Sequence, residues 1–338
     1  MSYETGVRAI DFLIRESGAR KNLDIDFFGG EPMLNWRNVT RLVDYCRQRE
    51  METGKTLRLT LTTNATLLTE DKLDYINEHF ANVVLSIDGR EEVHNRMRPL
   101  CGGRPSYALI VEKIRRFVEA RGDRPYYLRG TFTAHNLDFA DDVFALAQLG
   151  AQLSLEPVVA PPEMDYSLSE EDLPAIKAEY ERLAQRLAEA EEAGENINFF
   201  HFNIYLQGGP CLYKRAKGCG VGTEYCAVTP EGDIYPCHQL VGVEQFILAN
   251  VATVAETGLR KDYLKLFKKL LLPDKPACQA CWARYFCSGG CAANAYFASG
   301  DPDGISEMNC EMQKKRLELS LWLENERQER SALRETQG

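Results

Sequence analysis

The sequence predicts an α/β protein with a parallel sheet of about five strands, followed by a cysteine-rich region. Two observations predict this organisation. Short apolar runs alternate with segments of helical periodicity through the first 160 residues, a pattern typical of βα units in a parallel sheet. Nine of the eleven cysteines then lie between residues 211 and 310, and this shift in composition places a domain boundary near residue 205.

The predicted strands are short apolar runs that end in glycine or polar residues, at 23–30, 57–64, 82–89, 126–133 and 153–159. Helical spacing predicts helices at 3–17, 35–50, 69–80, 106–122, 139–150 and about 169–193. Thr69 is predicted to cap the third helix, and Ser169 with Asp172 to cap the last of these. Downstream, CAVTPEGDIYPC predicts a β-hairpin that turns at Gly232, and a further helix is predicted after the cysteines.

The composition argues against several classes of protein. The 338-residue chain has a net charge of −10 and a pI of about 5.2, which is atypical of a general nucleic-acid binder. No apolar run reaches the roughly 18 residues that span a bilayer, and no basic segment precedes an apolar one at the start. We therefore expect a cytoplasmic protein without a membrane or nucleic-acid partner, whose cysteines serve metal or redox chemistry before disulfides.

Polar residues follow each predicted strand, where parallel sheets bind their ligands. The strand ends carry Gly29-Gly30-Glu31-Pro32, Thr62-Thr63-Asn64, Ser86-Ile87-Asp88-Gly89, Arg129-Gly130-Thr131 and Glu156-Pro157. The two glycines would let a ligand approach the backbone, and the Glu31 carboxylate could accept hydrogen bonds from an ammonium group. The alternative interpretation is a set of turn residues with a solvated glutamate.

Four cysteines lie within fourteen residues, in the order Cys278-x2-Cys281-x5-Cys287-x3-Cys291. Four thiolates at this spacing can bind zinc tetrahedrally or hold an iron–sulfur cluster, and the spacing alone does not separate the two. Disulfides are a third alternative, disfavoured in a reducing compartment. The cysteine run therefore predicts a metal site of either kind.

The strand-end motifs GGEP, TTN and SIDG resemble those of the radical S-adenosylmethionine (SAM) enzymes. This resemblance implies a partial (β/α)6-type barrel that binds SAM. The cofactor-binding residues that it implies are Gly29, Gly30, Glu31, Pro32, Thr63, Asn64, Ser86, Asp88 and Arg129. Among them, Gly29, Gly30 and Glu31 would face the ammonium group, while Ser86, Asp88 and Arg129 would lie near the carboxylate and the ribose.

The wider cysteine series, Cys219-x12-Gly232-x4-Cys237 followed by the four-cysteine run and a last cysteine, is similar to the SPASM domain. That domain carries two auxiliary 4Fe-4S clusters. The resemblance implies a first cluster on Cys219, Cys237 and Cys291, with Cys211 as candidate fourth ligand, and a second cluster on Cys278, Cys281, Cys287 and Cys310.

The remaining cysteines and two histidines receive other interpretations. Cys46 and Cys226 are interpreted as small buried residues, and Cys101 as a loop residue. His238, next to Cys237, is a candidate proton carrier, and His201 is expected in the core or in the wall of an active site.

From residue 1 to about 325 the chain resembles the maturases of the six-cysteines-in-forty-five (SCIFF) peptides, most clearly in YYLRGTFTAHNLDF and in the segment from HFNIYLQGGPC to YPCHQLVG. The resemblance implies thioether formation in a ribosomally made, Cys-rich precursor peptide, with an electron donor such as flavodoxin or ferredoxin. The implied domains are a partial barrel with a linker helix at 1–205, a SPASM domain at 206–325 and a polar tail at 326–338.

The Cys-x3-Cys-x2-Cys motif that binds the catalytic cluster in this family does not occur in the sequence, and no strand is predicted before the first helix. We therefore expect a fragment that lacks the amino-terminal part of the family pattern and does not start the radical reaction alone. The alternatives are an electron-transfer protein, such as a degenerate paralogue, and a non-catalytic scaffold that binds zinc or iron–sulfur clusters.

Overall fold

The computed structural model describes residues 1–206, 211–262, 267, 272 and 275–337, with side chains up to Leu333. One sheet of six strands follows the order of the chain: β1 (Asn22–Phe27), β2 (Thr56–Thr63), β3 (Asn82–Ser86), β4 (Tyr126–Phe132), β5 (Gln152–Pro157) and β6 (Asn198–Phe199). The register is parallel between β1 and β2, between β2 and β3, and between β5 and β6. The predicted α/β fold class is confirmed.

Helices connect the strands and recur in the described part of the chain's second half. Those before residue 200 are α1 (Tyr3–Glu16), α2 (Trp36–Thr53), α3 (Glu70–His79), α4 (Glu91–Met97), α5 (Tyr107–Arg121), α6 (Phe139–Ala147) and α7 (Leu173–Glu192). Those after it are α8 (Leu212–Lys217), α9 (Val254–Thr257), α10 (Pro276–Gln279), α11 (Arg284–Cys287), α12 (Ala292–Ser299) and α13 (Glu307–Gln337). Within the described residues, none of these helices combines the length and the apolar character that a membrane crossing requires.

The first of two compact units comprises Met1–Ile87, Asn95–Leu128 and Val221–Phe267. Its core includes the alternate β2 side chains of Leu57, Leu59 and Leu61, which are buried. Thr69 stands at the amino end of α3 as predicted, but its side chain makes no capping hydrogen bond there.

The predicted hairpin lies in this first unit and is confirmed. Strands β7 (Ala227–Val228) and β8 (Asp233–Tyr235) pair antiparallel, and β9 (Ala249–Asn250) extends the small sheet on the other side of β8. Gly232 in the turn has φ +95°, and a Cβ there would lie 3.0 Å from Val251 Cγ2. The turn therefore requires glycine both for its backbone conformation and for space.

The second unit comprises Asp88–His94, Arg129–Gly220 and Lys268–Gly338. In it, α7 packs along α13, and both helices bury apolar residues. Ion pairs flank this contact: Lys177 Nζ lies 2.6 Å from Glu311, and Glu191 pairs with both Arg327 and Arg330. The predicted cap before α7 is confirmed, because the Asp172 carboxylate accepts hydrogen bonds from the Ser169 N–H at 2.8 Å and hydroxyl at 3.0 Å.

The sheet has one strand more than the five predicted. Strand β6 contains only Asn198 and Phe199, which pair with Gln152 and Leu153 of β5. A 3-10 helix, Phe200–Phe202, begins directly after it. Two residues cannot display a period of two, so the aromatic run NFFHFN gives no strand signal in the sequence.

Candidate functional site

The turn after β1 and the end of β2 are joined through Glu31. Its Oε1 accepts hydrogen bonds from the Thr63 hydroxyl at 2.8 Å and from the Met33 N–H at 3.0 Å, and its Oε2 accepts one from the Asn64 N–H at 2.8 Å. The same carboxylate caps the 3-10 helix Pro32–Asn35. Glu31 is therefore held by the motif that follows β2, and it is not a freely solvated turn residue.

The glycines before Glu31 leave open space beside this carboxylate. Gly29 has φ +112°, and no atom lies within 4 Å of the position that a Cβ would occupy at Gly29 or Gly30. Phe28, which precedes them, is 45% exposed, and its ring centroid lies 5.1 Å from that of His238. The backbone at Gly29 and Gly30 is thus accessible to a ligand that reaches Glu31.

His238 has defined neighbours within the first unit. Its Nδ1 lies 2.7 Å from the Tyr225 hydroxyl and 3.9 Å from the Cys237 thiol. The Cys237 sulfur also accepts a hydrogen bond from the Gln239 N–H at 3.4 Å. A proton on this imidazole could therefore be exchanged with the tyrosine hydroxyl.

The second unit fixes the residues that follow β3. The buried Asp88 accepts a hydrogen bond from the Thr131 N–H at 3.0 Å. Arg90 donates to Asp138 at 2.7 Å and to the buried Asp142 at 2.9 Å, and it holds the pKa of Asp138 below its usual range. Gly89 has φ +121°, and a Cβ there would lie 2.3 Å from Asp142 Cβ, so this turn too depends on glycine.

Two further predicted residues lie on strands β3 and β4. Ser86 is the half-buried last residue of β3 and belongs to the first unit. Arg129 lies on β4 in the second unit and is close enough to His201 to lower the pKa of that imidazole. Eight of the nine predicted cofactor residues thus lie at or just beyond strand ends. Arg129 was predicted at a strand end but is the fourth of the seven residues of β4. Seven of the nine belong to the first unit, and Asp88 and Arg129 belong to the second.

A buried polar cluster in the second unit was only partly visible in the sequence. The His201 imidazole is 2% exposed, and its Nε2 lies 3.0 Å from the Ser154 hydroxyl and 3.4 Å from Glu156 Oε1. Arg316 of α13 donates to His201 Nδ1, and its guanidinium lies 3.7 Å from Glu156 Oε2. Because a guanidinium can only donate, Nδ1 accepts and the proton of the neutral ring lies on Nε2.

The sequence analysis did not identify Arg316 as a member of this buried polar cluster, although the helical pattern around it gives a signal. It lies on the same helical face as Met312, Leu319 and Leu323, which are buried on α13. Arg316 lies four residues after Met312 and three residues before Leu319, so it shares their buried face of the helix. A basic residue on such a face indicates that its side chain has a buried polar or acidic partner. Glu156 was noted as a strand-end residue, and the expectation that His201 lies in the core is confirmed.

This cluster predicts that acid destabilises the protein through His201. Burial, and next Arg316 and Arg129, hold the pKa of His201 well below 6.5. The unfolded chain therefore takes up a proton below about pH 6.5 that the folded chain does not, and the free energy of unfolding falls as pH falls, by at most about 1.4 kcal/mol per pH unit. Urea unfolding at pH 7.5, 6.5 and 5.5 measures this slope. His201→Gln should have a shallower slope, and an unchanged slope would contradict the assignment.

Four of the predicted metal ligands, Cys278, Cys281, Cys287 and Cys310, belong to the second unit. Burial raises the pKa of Cys287 and Cys310 and, with the Cys281 thiolate as a further cause, that of Cys278. Cys278 and Cys281 each raise the pKa of Cys287, and all three of these thiols raise that of Cys310. Ionisation of one of these thiols thus disfavours ionisation of Cys278, Cys287 and Cys310.

The remaining cysteines differ in exposure. Cys211, Cys219 and Cys291 are exposed in the second unit, while Cys237 is buried in the first. Cys46 is buried, as predicted, whereas Cys226 is only half-buried. Burial raises the pKa of Cys46 to about 12 and that of Cys226 to about 11. Cys101 is exposed in a turn. Among the described residues, no three His, Cys, Asp or Glu side chains converge at distances that would ligate one metal ion.

Residues 7–133 match the family model of the radical SAM superfamily. The chain carries a radical SAM superfamily domain. This domain includes all nine predicted cofactor residues, from Gly29 to Arg129. The resemblance seen in the strand-end motifs is confirmed at the level of the superfamily.

Relatives and solved structures extend the similarity beyond the radical SAM domain. An uncharacterized protein of Methanocaldococcus jannaschii is 27% identical over 72% of this chain and 77% of its own length. The mycofactocin maturase MftC of Mycolicibacterium smegmatis is 24% identical over 83% of this chain and 68% of its own. The structure of native anSMEcpe with bound AdoMet and Kp18Cys peptide has a TM-score of 0.75 at 20% identity and covers 96% of this chain and 90% of its own.

A second solved structure shares the fold at lower similarity. Streptococcus suis SuiB bound to its precursor peptide SuiA has a TM-score of 0.56 at 17% identity, over 91% of this chain and 69% of that one. Both structures place the radical SAM domain of this chain in the same fold as these proteins.

Proposed function

We propose that this protein is a radical SAM peptide maturase with a SPASM-type auxiliary domain, which forms Cys thioether bonds in a ribosomally made, Cys-rich precursor peptide. The observation that carries the proposal is the radical SAM domain at residues 7–133, which a cysteine series similar to that of the SPASM domain follows in the same chain. The names of the relatives support a peptide substrate, because MftC is a maturase and SuiB binds a precursor peptide. Thioether formation and the SCIFF type rest on the sequence resemblance.

The proposed SAM site begins at Glu31. Its carboxylate accepts three hydrogen bonds, and two carboxylate oxygens offer about four lone-pair directions, so acceptor capacity remains for the SAM ammonium. Gly29, Gly30 and Pro32 would bring the backbone to the ligand, with Thr63 and Asn64 holding Glu31 in place. Ser86, Asp88 and Arg129 are proposed near the carboxylate and the ribose.

Cys278, Cys281, Cys287 and Cys310 are proposed to hold the second auxiliary cluster. Neighbouring thiols raise the pKa of Cys278, Cys287 and Cys310, and a polycationic iron centre would remove this penalty by binding all four as thiolates. The backbone N–H groups of Gly289 and Gly290 act on Cys287 in the same direction, since both lower its pKa. Cys219, Cys237 and Cys291, with Cys211, are proposed to hold the first cluster.

SAM, together with a catalytic cluster whose Cys-x3-Cys-x2-Cys ligands do not occur in residues 1–338, would supply the radical that activates the peptide. This chain's residues would hold SAM, anchor the auxiliary clusters and position the peptide. His238 is the proposed proton carrier, through its contact with Tyr225. The proposed domains are 1–205 for the partial barrel with the linker helix α7, 206–325 for the SPASM domain and 326–338 for the polar tail, with flavodoxin or ferredoxin as electron donor.

Metal and sulfide analysis of protein purified without oxygen tests the proposal. Two 4Fe-4S clusters predict about eight iron ions and about eight acid-labile sulfides per chain. Zinc without sulfide would contradict the proposal and support the non-catalytic zinc scaffold.

A second measurement tests whether residues 1–338 cleave SAM. Because the sequence contains no Cys-x3-Cys-x2-Cys, we expect residues 1–338 to bind SAM without cleaving it under reducing conditions. Chromatography would detect 5′-deoxyadenosine, and its formation at a rate above that of a Glu31→Ala control would contradict this prediction. A chain extended with the motif should produce it.

A further inference from the structure

Half-buried polar side chains share one face of the neighbouring strands β4 and β5. On β4, Arg129 and Thr131 alternate with buried residues, so both point to the same face of the sheet. The Val158 N–H donates to the Phe132 carbonyl at 2.9 Å, which fixes the register between the two strands. Glu156 therefore lies opposite Thr131, on the same face of the sheet.

This position brings Glu156 close to a residue already proposed to bind SAM. The Asp88 carboxylate, which follows β3, accepts a hydrogen bond from the Thr131 N–H at 3.0 Å. Neighbouring strands lie about 4.8 Å apart, so Glu156 lies one strand away from this contact, within the same unit. Because Asp88 is proposed near the carboxylate and the ribose of SAM, Glu156 lies beside the part of the site proposed for those groups.

The Glu156 carboxylate has acceptor capacity for a ligand. Its side chain is 35% exposed, its Oε1 lies 3.4 Å from His201 Nε2, and its Oε2 lies 3.7 Å from the Arg316 guanidinium. Both distances exceed the range of about 2.7–3.2 Å for an ordinary N–H···O hydrogen bond. The Nε2–H of His201 lies nearer to the Ser154 hydroxyl, at 3.0 Å, and donates to it. Both carboxylate oxygens therefore keep lone pairs for hydrogen bonds from a bound molecule.

Two neighbours limit the movement of this carboxylate. The buried His201 imidazole is held on one side by Ser154 and on the other by Arg316, which donates to its Nδ1. Arg316 lies on α13, so a helix outside the residues that match the radical SAM family model contributes to the arrangement. Glu156 is thus flanked by an imidazole beside one oxygen and a guanidinium beside the other.

The charges around Glu156 indicate the class of ligand group. Arg316 lies beside the carboxylate, and Arg129 lies on the same face of the sheet and acts on the pKa of His201. Two guanidinium groups would repel a cationic group that enters here, whereas they would not repel neutral hydroxyl groups. The two adjacent hydroxyls of a ribose can donate to a carboxylate, as they do to a strand-end acidic residue in dinucleotide-binding folds.

We propose that Glu156 binds the ribose hydroxyls of SAM and that His201 and Arg316 position its carboxylate. This inference rests on the proposed function, because it adds one residue to the proposed SAM site. The alternative role of Glu156 is to balance the charge of Arg316 alone. That role would not depend on the hydroxyls of a ligand, so SAM analogues that lack one hydroxyl separate the two roles.

Equilibrium dialysis with SAM and with its 2′-deoxy and 3′-deoxy analogues tests the proposal, on protein with its auxiliary clusters filled. The wild type should bind at least one analogue about tenfold more weakly than SAM, because a hydroxyl that donates to a charged acceptor is lost. Glu156→Gln should bind SAM about tenfold more weakly than the wild type does, and should bind SAM and that analogue within about threefold of each other. The matched control is Glu163→Gln, an exposed residue after β5 in the same unit, which should keep the wild-type affinities.

Variants of Arg316 test the positioning role. Arg316→Met should reduce the wild-type preference for SAM over the deoxy analogue, and Arg316→Lys, which keeps the positive charge, should retain more of it. Thermal unfolding shows whether each variant is folded, and the wild-type comparison of SAM with its analogues needs no variant. A folded Glu156→Gln protein with the wild-type preference would overturn the proposal. So would a wild type that binds SAM and both analogues equally, or a Glu163→Gln protein that loses as much affinity as Glu156→Gln.

The same measurements separate this inference from the proposed function. A wild type that holds both clusters but binds no SAM contradicts the SAM site of the proposed function. A wild type that binds SAM, together with an unchanged preference in Glu156→Gln, contradicts only the role of Glu156.

Discussion

Replacing Cys287 with serine is expected to remove about half of the iron and sulfide that the protein binds. Cys287 is one of the four proposed ligands of the second cluster. Cys278 and Cys281 raise the pKa of its thiol, and it raises that of Cys310. A serine hydroxyl remains protonated at neutral pH and replaces a thiolate poorly as an iron ligand. We expect the count to fall from about eight to about four iron ions per chain, with a matching fall in sulfide.

Cys101→Ser is the matched control, because Cys101 is exposed in a turn and belongs to neither predicted ligand set. Iron and sulfide should be unchanged in this variant. Electron paramagnetic resonance of the reduced proteins would show which of two signals is lost. Full iron content in Cys287→Ser would show that this thiol is not a ligand. Loss of iron in Cys101→Ser would show that the assay reports unspecific damage.

Replacing Glu31 with glutamine is expected to weaken SAM binding at least tenfold. The substitution removes the negative charge that would pair with the SAM ammonium. It also replaces one carboxylate oxygen, which accepts a hydrogen bond from the Thr63 hydroxyl or the Asn64 N–H, with an amide nitrogen that cannot accept one. A hydrogen bond to a charged group contributes about 1.5–3 kcal/mol, which corresponds to a tenfold or larger change in the dissociation constant. Equilibrium dialysis with labelled SAM, on protein with its auxiliary clusters filled, measures the change.

Glu78→Gln provides the control in the same unit, since the Glu78 side chain is 75% exposed on α3. It should bind SAM as the wild type does. Thermal unfolding of Glu31→Gln distinguishes a lost ligand contact from a collapsed turn, because the carboxylate also joins the turn to β2. Unchanged SAM affinity in a folded Glu31→Gln variant would contradict the proposed role of this residue.

The parts of the fold that the sequence predicted are those with a local signal. The first five strands are apolar runs with polar ends, and α7 begins with a capping pair, so pattern and chemistry agree on them. Strand β6 has no such signal, because it is two residues long and exists through its pairing with β5. Its recognition needs the tertiary structure.

In the candidate site, too, the features with a local sequence signal could be predicted and those that depend on tertiary contacts could not. The GGEP and TTN motifs could be placed at neighbouring strand ends from the sequence, but the three hydrogen bonds of Glu31 could not. The cluster of Glu156, His201 and Arg316 joins residues up to 160 positions apart in the chain, so no short-range motif in the sequence predicts it. Cys310 was assigned through its resemblance to a known pattern, since it lies 19 residues beyond Cys291.

The anchoring of Glu31 affects how a ligand is received. A carboxylate fixed by three donors has already lost its rotational freedom on folding, so little conformational entropy remains to be lost when a cation arrives. The binding site at this turn is therefore preorganised, and ligand binding there needs no induced fit. Discrimination between related sulfonium compounds would depend on whether their amino group reaches the open space beside Gly29, and not on a rearrangement of the turn.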